Sequence, residues 1–191
     1  MTTIPAPPKT LSQVGRAAQD LGLAGLLGGT LFGRMALHPA VASISDPRER
    51  GEVVNAAWRR YGVVNSLALG AVVVGWAGAR AAEAADRNLT PAERRLARAK
   101  DGLVGALAVS GLASAVEGVR FGRSAPHGGV PLEDGSHAAP GASDAATRLK
   151  QRLNVLGAVT MAAEVGVVAV NAALAQENFR RPPMRRRVRL R

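Results

Sequence analysis

The sequence predicts an all-α integral membrane protein, a four-helix bundle whose helices extend beyond the bilayer. The 191-residue chain contains four apolar segments of about membrane-spanning length, at 21–44, 62–82, 102–121 and 153–176. Hydrophobic residues make up 47% of the chain but aromatic residues only 3%, whereas a soluble core of this size usually buries several large rings. The centres of the segments are apolar around the whole helix rather than along one stripe, which argues against a soluble bundle.

Local signals predict where the helices start. Asp46, followed by proline, is expected to cap the helix that leads into the second segment. Thr90-Pro91-Ala92-Glu93 has the pattern of a capping box, so the third helix is expected to begin near its proline. Ser143 or Asp144 is expected to cap the fourth helix.

Two tails are predicted to flank the four-span region at 17–179, and a connector without regular structure is predicted within it. Residues 1–16, with three prolines, are expected to form a flexible N-terminal tail. The connector at about 122–142 is punctuated by Gly and Pro and has no apolar period, so it is expected to be disordered. Residues 180–191 form an arginine-rich C-terminal tail.

The basic residues predict the orientation and the partners. The net charge is +11, and four spans would place fifteen Lys and Arg on the side of the termini against nine on the other side. Both termini are therefore expected in the cytoplasm of a plasma-membrane protein. Because basic residues flank every segment, nucleic acid is not the expected partner. The tail arginines are expected to contact anionic lipid headgroups: Arg180, Arg181, Arg185, Arg186, Arg187, Arg189 and Arg191.

Small residues recur at every fourth position in the apolar segments, which allows close helix packing in lipid. The clearest stripe in the first segment is Gly25, Gly29 and Gly33, and a longer stripe runs down the third segment from Gly102 to Gly118. We expect these faces to build the bundle and to leave one face for a membrane protein partner or for a homo-oligomer.

Ionisable residues inside the apolar segments mark the candidate site. A charged side chain at the bilayer centre costs about 2.5–3.5 kcal/mol on insertion scales, so it is expected to face the bundle and to have a partner. Arg34 and Glu117 reach a similar depth toward the outer leaflet and are predicted to pair. His38 shares the face of Arg34, and Glu164 lies near the midplane. The four residues predict either a polar ligand-binding pocket or a structural salt bridge with Glu164 protonated.

The motifs leave several functions open. Without cysteine the chain has no Cys-ligated metal site and no thiol nucleophile, and it has no phosphate-binding loop or paired-histidine motif, so no catalytic or metal-binding residue is assigned. The expected function is a non-catalytic accessory or interaction subunit of a membrane complex, or a bundle that binds a small lipophilic ligand such as a quinone or a lipid. The alternatives are a membrane oxidoreductase or oxygenase acting on a lipophilic substrate, and a small proton-coupled transporter that uses Glu164.

Three motifs resemble a known group of families: Gly28-Gly29-Thr30-Leu31-Phe32-Gly33, His38-Pro39-Ala40 and Trp58-Arg59-Arg60-Tyr61-Gly62. They look like the small four-span families that include the anthrone-oxygenase-like and DoxX-like membrane proteins. Those families share a glycine-rich first span that ends in a proline and a connector helix that enters the second span through an aromatic residue. The resemblance covers the first third of the chain and implies the architecture, not a catalytic motif. The long third connector and the arginine tail depart from it.

Overall fold

The structure, a computed structural model, describes residues 9–179, with side chains from Val14 onward. Four long helices follow one another: α1 (Lys9–Phe32), α2 (Pro47–Ala81), α3 (Pro91–Arg123) and α4 (Asp144–Phe179). A π-helical turn (Gly33–Leu37), a helical turn (His38–Ala40) and a 3-10 turn (Val41–Ser43) extend α1. The described residues contain no strand, which confirms the all-α class. The predicted tail at 180–191 lies outside the described residues.

The predicted helix starts are confirmed. The side chain of Asp46 accepts a hydrogen bond from the backbone two residues later, at 2.9 Å. Thr90 and Glu93 make both bonds of a capping box, with Thr90 N at 2.8 Å from Glu93 Oε2 and Glu93 N at 3.3 Å from Thr90 Oγ1. Ser143 Oγ caps α4 through Ala146 N at 3.2 Å. Each cap satisfies backbone N–H groups that have no partner within the helix.

The first helix starts earlier than the sequence predicts. α1 begins at Lys9, so the prediction of a flexible tail is wrong for residues 9–16. Arg16 pairs with Glu83 at 3.3 Å, and Gln19 is 3% exposed where it packs against Gly75 of α2. The early part of α1 is ordered because α2 continues far enough to provide a surface for it.

The hydrogen-bonding pattern of α1 changes just before Pro39. The N–H of His38 bonds to Gly33 O, five residues earlier, which is the pattern of a π-helix. A proline has no N–H, and its ring clashes with the carbonyl four residues before it in an α-helix. The π turn absorbs this conflict, so the α-helix itself ends at Phe32, midway along the predicted segment 21–44.

The helices pack as two pairs, α1 with α2 and α3 with α4. The glycine face of α1 permits the first pairing, because a Cβ on Gly29 would overlap the Tyr61 ring and a Cβ on Gly33 would overlap the Trp58 ring. The Tyr61 hydroxyl donates to Gly25 O at 2.6 Å. A buried apolar cluster joins the two pairs and includes Leu23, Leu26, Val72, Trp76, Val104, Leu107 and Val167.

The outer surface of the longer helices is largely apolar. Exposed side chains include Val74 at 72%, Val109 at 71% and Val155 at 64%. In the described part of the chain, α2, α3 and α4 are long and apolar enough to cross a membrane, which is consistent with a membrane protein. α1 is not among them, because its α-helical part joins a polar first half to only part of 21–44. The predicted span at 21–44, the first of the four, is therefore not confirmed.

The connector between α3 and α4 is folded, so the prediction of a disordered segment at 122–142 is wrong. Val130 and Leu132, which are 1% and 0% exposed, pack in a second apolar cluster with Phe121. Arg50 of α2 donates to Glu133 O at 2.7 Å. The Gly and Pro content prevents a regular helix, but contacts from distant helices hold the irregular backbone. We call residues 124–143 the cap.

Ion pairs close the opposite end of the helices. Arg80 lies 3.1 Å from Asp86 and 3.0 Å from Asp101, and Arg98 lies 3.1 Å from Asp86. Trp76 Nε1 donates to Asp101 at 2.8 Å. The hydrogen bonds from Arg98 and Arg80 lower the pKa of Asp86. Arg80 and Arg98 thus form one ion-paired group with Asp86 and Asp101.

Candidate functional site: a polar seam between α1 and α4

Three polar side chains, Thr30, Arg34 and His38, lie at four-residue intervals along α1 and its extension. Thr30 and Arg34 contact α4, and His38 contacts the cap. The shared face predicted for Arg34 and His38 is thus observed, since residues four apart lie on one side of a helix. We call Thr30, Arg34 and His38, together with Asn154 and Glu164 of α4, the polar seam.

His38 is held at both ring nitrogens. Trp58 Nε1 lies 3.2 Å from His38 Nε2, and because an indole N–H only donates, Nε2 must accept. The neutral ring then carries its proton on Nδ1, which donates to Ser136 Oγ at 3.1 Å. In this tautomer His38 cannot take a proton from Ser136, so the pair is not an activated serine nucleophile. Neither nitrogen is free to bind a metal or a substrate.

Arg34 brings a positive charge without a matching acid into the seam. Its Nη2 donates to the backbone oxygen of Asn154 at 3.0 Å. In residues 14–179 no carboxylate forms an ion pair with it. Gly157 leaves the room for the guanidinium, since a Cβ there would lie 3.0 Å from Nη2. Arginine stays protonated in proteins, so this charge is permanent.

The cap covers the His38 end of the seam. Lys150 is 5% exposed and donates to a cap carbonyl, and Asn154 Nδ2 donates to Ser136 O at 2.8 Å. Asp134 accepts from the backbone N–H of Ser136 at 2.5 Å and of His137 at 2.7 Å. Burial acts to raise the pKa of Asp134, but the hydrogen bonds from the His137 side chain and from these two N–H groups together lower it.

Glu164 is the deepest residue of the seam. It is 0% exposed. Oε1 accepts a hydrogen bond from Thr30 Oγ1 at 3.3 Å, and Oε2 has no hydrogen-bond partner among the described residues. Its neighbours in the sequence, Ala163 and Val167, belong to the apolar cluster that joins the helix pairs. A carboxyl group is therefore placed where water does not reach it.

Glu117 lies outside the seam, so the predicted pair with Arg34 is wrong. Glu117 Oε1 lies 3.1 Å from Arg120 on its own helix and 3.9 Å from Arg152 on α4. Equal depth does not bring two residues together when they lie on different sides of their helices. The structure places Arg34, His38 and Glu164 along one interface and Glu117 in a separate ion-pair group.

An apolar groove of about 260 Å³ lies on the other side of α1, against α2. Its walls include Phe32, Leu37, Trp58 and Tyr61, together with the glycines of α1. Trp58 belongs to the motif through which, by the resemblance, a connector helix enters the second span. It forms one wall of the groove and holds His38 from that side.

Four residues of the seam or of the contacts that cover it were not predicted from the sequence: Thr30, Asn154, Ser136 and Lys150. Ser136 and Lys150 lie in or next to a segment expected to be disordered, and nothing in their local pattern links them to His38 or to the carbonyl of Gly135. Asn154 carries a weak signal, since it is a polar residue at the start of an apolar segment. Its backbone oxygen, rather than its side chain, binds Arg34, and no sequence pattern predicts that contact.

The arrangement is suited to binding and to holding a proton rather than to covalent chemistry. No group of three His, Cys, Asp or Glu side chains within residues 14–179 is placed to hold a metal ion. Comparison with family models, with curated proteins and with solved structures gives no match for this sequence.

Proposed function

We propose that the chain is a four-span plasma-membrane protein with both termini in the cytoplasm, a bundle of the architecture that the resemblance to small four-span families implies. The apolar surface of α2, α3 and α4 supports insertion. The orientation is supported by the excess of basic residues on the side of the termini.

The absence of cysteine allows a direct topology test. Ser45 and Arg87 are exposed and lie at opposite ends of α2, so each can be replaced singly by cysteine. In intact cells, a membrane-impermeant maleimide should label Ser45→Cys and should label Arg87→Cys only after permeabilisation. Labelling of both sites in intact cells, or of neither, contradicts four spans with cytoplasmic termini.

Within this architecture we infer that the polar seam binds a lipophilic small molecule with an anionic headgroup, such as a lipid. The observation that carries this proposal is Arg34, a permanent charge whose only protein partner in the described residues is a backbone oxygen. The proposed first span would place this charge at membrane depth. A neutral carbonyl does not compensate the charge, whereas a phosphate or a carboxylate would. Leu31 and Met35, close to Arg34 in the sequence, are 39% and 76% exposed and offer apolar surface for the hydrocarbon tail of such a molecule.

The test compares Arg34→Gln with Arg59→Gln, an exposed arginine at the same end of the protein. Each variant is purified in mild detergent, and bound lipids and quinones are identified by mass spectrometry. Since a hydrogen bond to a charged group contributes about 1.5–3 kcal/mol, Arg34→Gln should reduce the bound molecule by at least tenfold. Arg59→Gln should retain it. An equal amount on both variants, or no bound molecule on the parent protein, contradicts the proposal.

A non-catalytic accessory role is compatible with the same architecture, through faces that the described residues leave open. A Cβ on Gly62, Gly70, Gly102 or Gly118 would meet nothing within 4 Å, so these stretches of α2 and α3 are free for another helix. Mass measurement of the detergent-solubilised protein distinguishes a homo-oligomer from a single chain. The tail arginines are proposed to bind anionic headgroups, which deletion of 180–191 and flotation with anionic vesicles would test.

A further inference from the structure

We propose that Glu164 is a proton-binding site inside the membrane, a neutral carboxylic acid that the polar seam holds between α1 and α4. This inference does not rest on the lipophilic ligand proposed for Arg34. It concerns another residue, and it specifies the chemistry that a proton-coupled role would need.

The surroundings of Glu164 disfavour a carboxylate. The side chain is 0% exposed, and its only hydrogen bond in the structure comes from Thr30 at 3.3 Å. Leu107 of α3 and Leu23 of α1 belong to the apolar cluster that also contains residues on both sides of Glu164. An ionised carboxylate in such a setting needs several hydrogen bonds or a cation. With one long hydrogen bond and an unpartnered Oε2, the neutral acid is the stable form.

No charged group on the surrounding helices compensates the carboxylate. The apolar runs of α2 at 62–79 and of α3 at 102–116 contain no charged residue. On α1 the nearest charge is Arg34, one turn outward from Thr30. Its guanidinium binds Asn154 O and borders Gly157, which lie ten and seven residues before Glu164 on α4. These positions are about 15 and 10 Å away along the helix axis, too far for an ion pair.

The oxygen atoms nearby favour a proton over a metal ion. A hard cation is bound by about six or more oxygen ligands. Thr30 supplies the only hydroxyl within hydrogen-bonding distance of Glu164 in the described residues. One turn outward on α4, the Thr160 hydroxyl lies 2.9 Å from both Ser110 Oγ and Leu156 O, so its hydrogen-bonding capacity is already taken up. A single proton is enough to remove the negative charge of the Glu164 carboxyl group.

Infrared spectroscopy tests this state directly. At about pH 7 surface carboxyl groups are ionised, so a C=O stretching band of a protonated carboxylic acid reports a buried acid. The full-length protein in liposomes should show this band, and deuterium exchange should shift it. Glu164→Gln should lose the band, whereas Glu117→Gln, which removes a carboxylate paired with arginines, should keep it.

Two further variants separate structural failure from chemical failure. Glu164→Asp keeps a carboxyl group and should shift the band rather than remove it, so it serves if the glutamine variant does not fold. Arg34→Gln should leave the band in place even where it loses the lipophilic ligand, which keeps the two proposals distinguishable. A folded parent protein without the band at about pH 7, or a band that persists in Glu164→Gln, overturns the proposal.

Discussion

Gly51 should be the glycine at which a single methyl group most directly disturbs the cap. A Cβ at this position of α2 would overlap the carbonyl oxygen of Val130 and lie 3.0 Å from its backbone nitrogen and carbonyl carbon. These are backbone atoms of the cap, so no side-chain rotation relieves the overlap. Gly62 on the same helix has nothing within 4 Å of its Cβ position and is the matched control.

The two substitutions should change stability in opposite directions. Replacing a helical glycine by alanine stabilises a helix by about 0.8–1 kcal/mol, and this is the whole effect expected of Gly62→Ala. At Gly51 the same gain is opposed by overpacking, at about 1–3 kcal/mol. Displacing the cap also breaks the 2.9 Å bond from Leu132 N to Pro47 O, for about 0.5–1.5 kcal/mol more. The net loss for Gly51→Ala is roughly 1–3 kcal/mol.

Tryptophan fluorescence during thermal unfolding in detergent measures the Tm of both variants. Trp58 reports on the cap because it is hydrogen-bonded to His38, which contacts Ser136 of the cap. With a shift of about 2–4 °C per kcal/mol for a chain of this size, Gly51→Ala should lower Tm by several degrees and Gly62→Ala should leave or raise it. Limited proteolysis should cut the cap faster in Gly51→Ala alone. If Gly51→Ala is as stable as Gly62→Ala and its cap is equally protected, the close contact between α2 and the cap is wrong.

Three further predictions concern local contacts. Thr90→Ala removes the capping box of α3 and should lower the free energy of unfolding by about 1 kcal/mol, whereas Thr90→Ser should retain most of that stability. Equal Tm values for Thr90→Ala and the parent would contradict the capping box. Gly29→Ala pushes a methyl group into Tyr61 and should lower Tm, whereas Gly28→Ala, where the space is open, should not; similar effects would refute the close approach of α1 to α2. The pKa of Asp134 is lowered in the fold, so its contribution to stability is present above its ordinary pKa of about 3.9 and is lost as pH falls through the lower folded value. Proteolysis of the cap should therefore accelerate on acidification below about pH 4 in the parent but not in Asp134→Asn, and identical pH profiles would count against this role.

Helix starts were predictable because their signals are local. The four residues from Thr90 to Glu93 contain both partners of the capping-box bonds, and the N–H that bonds to the Asp46 side chain lies only two residues along the chain, on Arg48. The common face of Arg34 and His38 follows from spacing along one helix in the same way. Such predictions succeed where the interaction lies within one or two helical turns.

The errors share a cause, which is dependence on distant parts of the chain. The cap has the composition of a disordered loop, yet Arg50 and Lys150 bind its carbonyls from two different helices. The Arg34–Glu117 pair was predicted from depth, but depth leaves the rotation of each helix about its axis undetermined. Glu117 consequently faces Arg120 and Arg152, and Arg34 faces Asn154.

The partners of individual cations support placing the ligand beside Arg34 rather than beside Arg80. At the opposite end Arg80 is matched to carboxylates. At the capped end Arg34, Arg50 and Lys150 all donate to backbone carbonyls, which orient the cations without neutralising them. A carbonyl dipole holds a cation in place but leaves its field to act on other groups. Because no carboxylate among the described residues pairs with Arg34, an anionic headgroup gains more beside it than beside Arg80, whose ion pairs are already formed.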